Sequence, residues 1–161
     1  MACAILSDIE GPVMFIPYLL FIVLNLFIFF DPVQARVNPE DLNPFETDGC
    51  TSYPNGTSEE PSLWLHCCVQ HDLKYWAGGT EIERLAADEA MYDCVSETGY
   101  VDDAYIMYKG VRIGGTPYFD TDYRWGFGWN YSRDYGPLNK EEKALIKKQS
   151  PPELSKVPIK D

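Results

Sequence analysis

The residues best suited to chemistry stand together in one short stretch of the chain. It reads CCVQHDLKY, so a pair of cysteines is followed by His71 and Asp72 and, three residues later, by Tyr75. A neutral histidine held by a carboxylate can take a proton from water as a general base. A neighbouring carboxylate supplies hard oxygen atoms of the kind that Ca²⁺ prefers. These residue types therefore indicate base catalysis beside a cation, provided that a second carboxylate faces His71.

Two helices must position this stretch. Apolar and cysteine residues recur at helical spacing from about Leu63 to Ala77, with Ser62 suited to the N-cap and Gly78 to the exit. The run TEIE then has the capping-box pattern and predicts a second helix from about Glu81 to Glu97. Because only a short glycine turn separates the two helices, they are expected to lie antiparallel as a hairpin.

The register of that hairpin can bring a second carboxylate to the histidine. In antiparallel helices, residues whose numbers have the same sum lie at the same height, and each residue of mismatch shifts them by about 1.5 Å. The pair His71 and Asp88 and the pair Cys67 and Cys94 have nearly equal sums. One disulfide and one contact between histidine and carboxylate can therefore share the interface.

An apolar run near the start of the chain predicts export. Residues 13–30 carry no charge and approach the length needed to span a membrane. The small residues of Val33-Gln34-Ala35 suit a signal peptidase, so residues 1–35 are interpreted as a cleaved signal peptide or an uncleaved membrane anchor. The protein is then secreted or periplasmic, or it is anchored in a membrane by residues 13–30.

Composition limits the remaining possibilities. The 161 residues are about one domain long, which we place at residues 36–150, with residues 151–161 as a flexible tail. The 25 acidic and 13 basic residues give a net charge of −12, which argues against nucleic acid as a partner. Thiols are usually oxidised in an export compartment, and the four cysteines after the apolar run allow two disulfides in any of three pairings. These cysteines are Cys50, Cys67, Cys68 and Cys94.

The histidine stretch resembles the active-site helix of the secreted phospholipase A2 superfamily. The signature of that family is a paired cysteine, two residues, His-Asp and a tyrosine three residues after the Asp, as in the run from Cys67 to Tyr75. The loop Asp48-Gly49-Cys50-Thr51 is similar to the calcium loop of the family's shorter prokaryotic branch. The resemblance covers roughly residues 48–95.

The resemblance also assigns roles to individual residues. It implies that His71 is the base, that Asp88 orients it, and that Tyr75 donates a hydrogen bond to Asp88. It implies that Asp72 is the principal Ca²⁺ ligand. It further implies two disulfides, Cys50 to Cys68 and Cys67 to Cys94.

Two sets of further calcium ligands follow from two branches of the family. The prokaryotic branch nominates the side chain of Asp48 and the carbonyl of Gly49. The longer animal enzymes nominate the carbonyls of Gly49, Thr51 and Tyr53 instead. Both sets consist of oxygen atoms, so both are compatible with Ca²⁺.

The rest of the exported part is less regular. A third, shorter helix is expected from about Val101 to Gly110, and a fourth from about Asn139 to Lys148. Residues 117–135 interleave aromatic residues with glycine, and they either complete a small core around the helix pair or lie at a bilayer interface. His66 is interpreted as structural, and an oxidising compartment argues against a zinc site on the cysteines.

We therefore expect a mainly α fold, a disulfide-linked antiparallel helix pair of phospholipase A2 type with a calcium loop and an irregular, aromatic-rich C-terminal region. The resemblance implies an enzyme that uses Ca²⁺ and a water activated by His and Asp to hydrolyse the sn-2 acyl ester of glycerophospholipids. Its partner would be a phospholipid membrane or lipid substrate. The alternative is a catalytically inactive module of this fold that binds lipid or protein at a membrane. A third possibility is a membrane-anchored structural protein.

Overall fold

The computed structural model describes residues 37–160, and this part of the chain is mainly helical, as the sequence predicts. It contains four α-helices and no β-strand, with short 3-10 turns at Pro39–Asp41 and Leu154–Lys156. None of its helices has the length and apolar character that a membrane span requires. The predicted signal peptide or anchor, residues 1–35, lies outside the described residues. The helices are α1 (Leu65–Ala77), α2 (Glu81–Ser96), α3 (Val101–Gly114) and α4 (Lys140–Gln149).

Capping boxes begin two of the four helices. Helix α2 begins with the predicted capping box, in which Thr80 accepts from the N–H of Glu83 and the Glu83 side chain bonds back to the cap. A second capping box begins α4. The predicted cap at Ser62 is wrong, because α1 begins after Trp64 without a side-chain cap, and Ser62 lies in the preceding turn. Gly78 ends α1 with φ +70°, a conformation that favours glycine.

Two disulfides and an apolar core hold α1, α2 and α3 together. Cys50–Cys68 joins the loop before α1 to that helix, and Cys67–Cys94 joins α1 to α2. Both pairings agree with those implied by the resemblance. The core around them includes Trp64 of the turn, Met91 and Val95 of α2, and Ala104 and Met107 of α3. Because α2 packs against both α1 and α3, it is the central helix of this unit.

The aromatic segment at residues 117–135 covers the C-terminal end of α1. The backbone N–H groups of Gly126 and Gly128 donate to the carbonyls of Tyr75 and Trp76 at 2.6 and 3.1 Å. The last carbonyls of a helix have no intrahelical partner, so this segment satisfies them. Its packing role is therefore confirmed at this point.

The tryptophans of this segment complete the cap, whereas several of its other rings face outward. The indole N–H groups of Trp125 and Trp129 donate to the carbonyls of Gly79 and Ala77, both at 2.9 Å, and both tryptophans are buried. Burying the ring while pairing its N–H is the usual arrangement for tryptophan. The exposed aromatic residues are Tyr118, Phe119, Tyr123 and Tyr131.

The C-terminal segment has defined contacts, where the sequence predicted a flexible tail over residues 151–161. Ile159 forms an isolated parallel bridge with Thr47, and the N–H of Lys160 donates to the Thr47 carbonyl at 2.9 Å. The side chain of Lys160 also pairs with Glu46. These contacts place the segment against the residues that lead into the predicted calcium loop.

Candidate active site

Helices α1 and α2 bring the predicted base and its orienting carboxylate into contact. Nε2 of His71 lies 2.8 Å from Oδ1 of Asp88. Both side chains are buried, His71 at 7% and Asp88 at 0% exposure. An ionised carboxylate only accepts hydrogen bonds, so Nε2 carries the proton and the lone pair of the neutral ring lies on Nδ1. Nδ1 is 4.0 Å from Oδ1 of Asp72.

Tyr75, one turn after His71 on α1, also binds Asp88. Its hydroxyl donates to Oδ1 of Asp88 at 2.8 Å, which is the hydrogen bond implied by the resemblance. Its ring lies against the imidazole, with 4.2 Å between the ring centroids. Burial and the charge of Asp88 raise the pKa of Tyr75 far above its ordinary value, so the hydroxyl keeps its proton and acts as a donor.

Two arginines that the sequence analysis did not assign complete the surroundings of Asp88. Nη1 of Arg112, on α3, donates to Oδ2 of Asp88 at 2.7 Å. Nε of Arg84, on α2, lies 3.8 Å from Oδ2 and donates to the Tyr75 hydroxyl at 2.9 Å. Burial alone would raise the pKa of Asp88, but hydrogen bonds from His71, Arg112 and Tyr75 hold it below its ordinary value.

A sequence signal existed for one of these arginines. Arg84 precedes Asp88 by four residues, so the two side chains share a face of α2. Arg112 offers no such signal, because its contact depends on how α3 packs across α2.

On the other side of His71, the predicted calcium loop meets Asp72. The hydroxyl of Thr47 donates to Oδ2 of Asp72 at 2.6 Å and accepts from the N–H of Gly49 at 3.0 Å. Thr51 donates to Oδ1 of Asp48 at 2.7 Å. Burial raises the pKa of Asp72 to about 7; the Thr47 hydroxyl opposes the rise, and the negative charge of Asp48 adds to it. Thr47, one residue before the recognised loop, was not assigned from the sequence.

The loop has a backbone that only glycine fits at one position. Gly49 has φ +82°, and a Cβ built there would lie 2.2 Å from Oδ1 of Asn55. That same oxygen accepts the N–H of Cys50 at 2.7 Å, and the Cys50–Cys68 disulfide then ties the loop to α1. Asn55 therefore organises the loop.

The oxygen atoms around the loop suit a hard cation. The carbonyls of Gly49, Thr51 and Tyr53 take no hydrogen bond from any group within residues 37–160. Gly49, Thr51 and Tyr53 line one cavity with Asp72, and Asp48 precedes them in the loop. Carbonyl and carboxylate oxygens are the ligands that Ca²⁺ prefers. Four of the five predicted metal-binding residues thus belong to one loop, and the fifth, Asp72, lies on α1.

A different cluster could suggest a soft metal, but its chemistry argues against this. One ring nitrogen of His66 and the sulfurs of Cys67 and Cys94 lie within 4.8 Å of one another. The two cysteines form a disulfide, so they offer no thiolate. The cluster gives no support to a zinc site.

A cavity of about 250 Å³ lies between the loop, α1 and α3. His71, Asp72 and Tyr75 line it together with Gly49 and Thr51 of the loop. The opposite wall is mostly apolar and comes from α2 and α3. That wall includes Met91, Ile106, Met107 and Val111. A cavity with a polar side and an apolar side can receive a molecule of the same dual character.

Comparisons with known proteins found no match among protein-family models, curated proteins or solved structures. The fold and the site therefore define the class of the protein by themselves. It is a small helical protein with two disulfides, in which a buried His–Asp pair lies beside an oxygen-rich loop.

Proposed function

We propose that the protein is an exported, Ca²⁺-dependent, phospholipase A2-like enzyme that hydrolyses the sn-2 acyl ester of glycerophospholipids. The observation that carries this proposal is the 2.8 Å contact between Nε2 of His71 and Oδ1 of Asp88. It leaves Nδ1 as the basic atom, 4.0 Å from Asp72 and beside the loop. The two disulfides fit an oxidising, exported environment.

His71 moves the proton in the proposed reaction. Nδ1 takes a proton from a water molecule as the water oxygen bonds to the ester carbonyl carbon. The imidazolium then gives that proton to the leaving alcohol oxygen as the ester C–O bond breaks. Asp88 holds Nε2–H and stabilises the imidazolium between these two events. A positioned general base contributes roughly 10² to 10⁴ in rate.

The loop and Asp72 would hold Ca²⁺ through the carboxylates of Asp72 and Asp48 and the carbonyls of Gly49, Thr51 and Tyr53. A Ca²⁺ bound there supplies positive charge that polarises the ester carbonyl and stabilises its developing oxyanion. Burial and the nearby negative charge of Asp48 raise the pKa of Asp72, which means that the folded protein disfavours the charged carboxylate. A bound cation would offset this penalty, so the raised pKa supports the assignment.

The apolar wall of the cavity would receive an acyl chain. Met107 is buried, whereas Ile106 is exposed at the rim. A chain that enters along this wall has its ester end near the polar side, where His71 and Asp72 lie. This arrangement would orient a lipid with its ester beside His71.

The test is a lipid hydrolysis assay on the purified protein with Ca²⁺ and mixed phospholipid vesicles. The lipids carry different acyl chains at the two positions, so that the released fatty acid identifies the bond that is cut. His71→Ala should lower the rate at least about 10²-fold while circular dichroism and both disulfides stay unchanged. The matched control is His66→Ala, since His66 is exposed and is the only other histidine in the sequence. If the wild-type protein releases no fatty acid, the proposed hydrolysis is wrong.

Calcium binding separates the enzyme from the inactive binding module. Ca²⁺ should raise the melting temperature of the wild-type protein, since a ligand at 100 times its Kd stabilises the folded state by about 2.7 kcal/mol. Asp72→Asn should remove this effect. If Ca²⁺ leaves the melting temperature unchanged and no fatty acid is released, a catalytically inactive module that binds lipid or protein becomes the better explanation.

A further inference from the structure

The buried carboxylate of Asp88 receives more donors than a His–Asp pair requires. Its Oδ1 faces Nε2 of His71 and the hydroxyl of Tyr75, both at 2.8 Å. Its Oδ2 faces Nη1 of Arg112 at 2.7 Å. A buried carboxylate can rotate about its Cβ–Cγ bond, but donors on both oxygens fix one orientation.

We propose that Arg112 is a positioning residue, which holds Oδ2 of Asp88 so that Oδ1 stays aligned with Nε2 of His71. This inference rests on the hydrolysis proposed above. Arg112 does not line the cavity of about 250 Å³, although its neighbour Val111 does. Any effect of Arg112 on the chemistry therefore passes through Asp88 and not through contact with the substrate.

Arg84 holds the C-terminal end of α3, which carries Arg112, in place. Its Nη2 donates to the carbonyls of Val111 and Arg112 at 2.7 and 3.0 Å, in the last turns of α3. The Val111 carbonyl also accepts the N–H of Gly115 at 2.9 Å, and the negative end of the helix dipole favours a positive charge at this place. Nη1 of Arg84 also donates to the hydroxyl of Tyr135 at 2.6 Å, and Arg84 is only 2% exposed. Arg84 thereby locks the end of α3 to α2, and Arg112 extends from that end to Asp88.

A purely structural ion pair would behave differently from a positioning residue. Loss of a structural pair lowers the stability of the fold and leaves the geometry of the His–Asp contact unchanged in the molecules that remain folded. Loss of a positioning residue lowers kcat in folded protein, because a small displacement of reacting groups costs much of the rate. It also disturbs the hydrogen bond at Nε2 of His71, which can be observed directly.

The experiment uses the full chain and three variants. Arg112→Gln removes the charge and the guanidinium group, and Arg112→Lys keeps the charge on a single ammonium group. Lys109→Gln is the matched control, since it removes one positive charge from the same helix, and Lys109 lies over the ring of Tyr105, away from Asp88. The readouts are kcat and KM for lipid hydrolysis, and the downfield proton NMR signal of an imidazole N–H bound to a carboxylate. A signal that persists in His66→Gln belongs to His71, since the sequence has two histidines.

Arg112→Gln should lower kcat on the order of 10- to 100-fold with KM within about twofold, and should shift or abolish the His71 signal. Arg112→Lys should recover part of both, and Lys109→Gln should match the wild type. The proposal is overturned if the wild type has no such signal, or if Arg112→Gln matches Lys109→Gln in kcat and signal. Should Arg112→Gln fail to fold, Arg112→Lys decides, because a wild-type kcat and signal in that variant would also overturn the proposal. The NMR readout needs no substrate, so it tests the alignment of Asp88 even if the wild type hydrolyses no lipid, a result that would refute only the proposed function.

Discussion

His71 lies between a fully buried carboxylate, Asp88, and a partly buried one, Asp72, and the surroundings of the two are opposite. Asp88 faces Nε2 at 2.8 Å, and Asp72 faces Nδ1 at 4.0 Å. Burial raises the pKa of both, but on Asp88 the donors, among them Arg112, reverse the effect and hold the pKa low. On Asp72, a single hydroxyl from Thr47 does not, and the pKa rises to about 7. Donors and neighbouring charges, rather than burial, decide which carboxylate the folded protein keeps ionised.

The difference assigns a role to each carboxylate. Asp88 is neutralised by the chain itself, through Arg112 at 2.7 Å and Arg84 at 3.8 Å. Within residues 37–160, no lysine or arginine forms an ion pair with Asp72, and Asp48 adds a second negative charge nearby. A carboxylate that the protein has neutralised can orient a histidine. A carboxylate that has no positive side chain beside it is suited to bind a cation from solution.

The largest expected effect comes from the same substitution made at both carboxylates. Asp88→Asn leaves the charges of Arg84 and Arg112 without their buried partner, so it should lower the free energy of unfolding by about 3 to 5 kcal/mol. Asp72→Asn removes a carboxylate that Asp48 repels, so in EDTA at pH 8 it should leave stability unchanged or raise it. Urea unfolding of the two variants and the wild type measures both. Equal losses in the two variants would show that the contrast between the carboxylates is wrong.

The parts of this site that follow from local rules could be predicted from the sequence. The bounds of α2 were placed within one residue, because a capping box and helical periodicity are local properties. The contact between His71 and Asp88 followed from the register of an antiparallel hairpin. Ser62 was wrongly assigned as a cap, because the turn before α1 uses backbone hydrogen bonds instead.

The parts that depend on distant packing could not be predicted. Arg112 reaches Asp88 only because α3 crosses α2 in one particular way, and no spacing in the sequence encodes that crossing. The aromatic segment caps α1 through contacts between residues that are about fifty positions apart, as in Gly128 with Trp76. Export, calcium binding and lipid hydrolysis stay predictions, because they concern residues 1–35, which lie outside the described part of the chain, or molecules other than the chain.

The pH dependence of stability provides a second test of the contrast. The folded protein raises the pKa of Asp72 to about 7, so it binds this proton more tightly than the unfolded chain does. Metal-free wild-type protein should therefore lose stability as the pH rises from about 4 to about 7, on the order of 3 kcal/mol. Asp72→Asn lacks this group and should lack that loss.

Urea unfolding in EDTA at pH 5 and pH 8 measures the effect as a difference between wild type and Asp72→Asn. Other titrating groups are common to both proteins and cancel in this difference. Parallel pH profiles for the two proteins would mean that the fold does not disfavour the charge of Asp72.

The smallest effects come from removing one hydroxyl donor on each side of His71, one that binds Asp88 and one that binds Asp72. Tyr75→Phe removes the hydroxyl that donates to Asp88 and accepts from Arg84. Because the site is buried, this loss should cost about 1 to 2 kcal/mol of stability. This cost should be the same with and without Ca²⁺, because the Asp88 side is complete without a metal.

Thr47→Val removes the hydroxyl donor to Asp72 while nearly keeping the shape of the side chain. It should cost about 1 to 2 kcal/mol in the metal-free protein, because the buried N–H of Gly49 also loses its acceptor. It should weaken Ca²⁺ binding about 10-fold, since partners that orient a metal-binding carboxylate typically contribute that much. Titration of the melting temperature with Ca²⁺ measures the change in affinity, with Tyr75→Phe as the matched control. If Tyr75→Phe weakens Ca²⁺ binding as much as Thr47→Val does, the two sides of His71 are not separate, and the division of roles between Asp88 and Asp72 has to be abandoned.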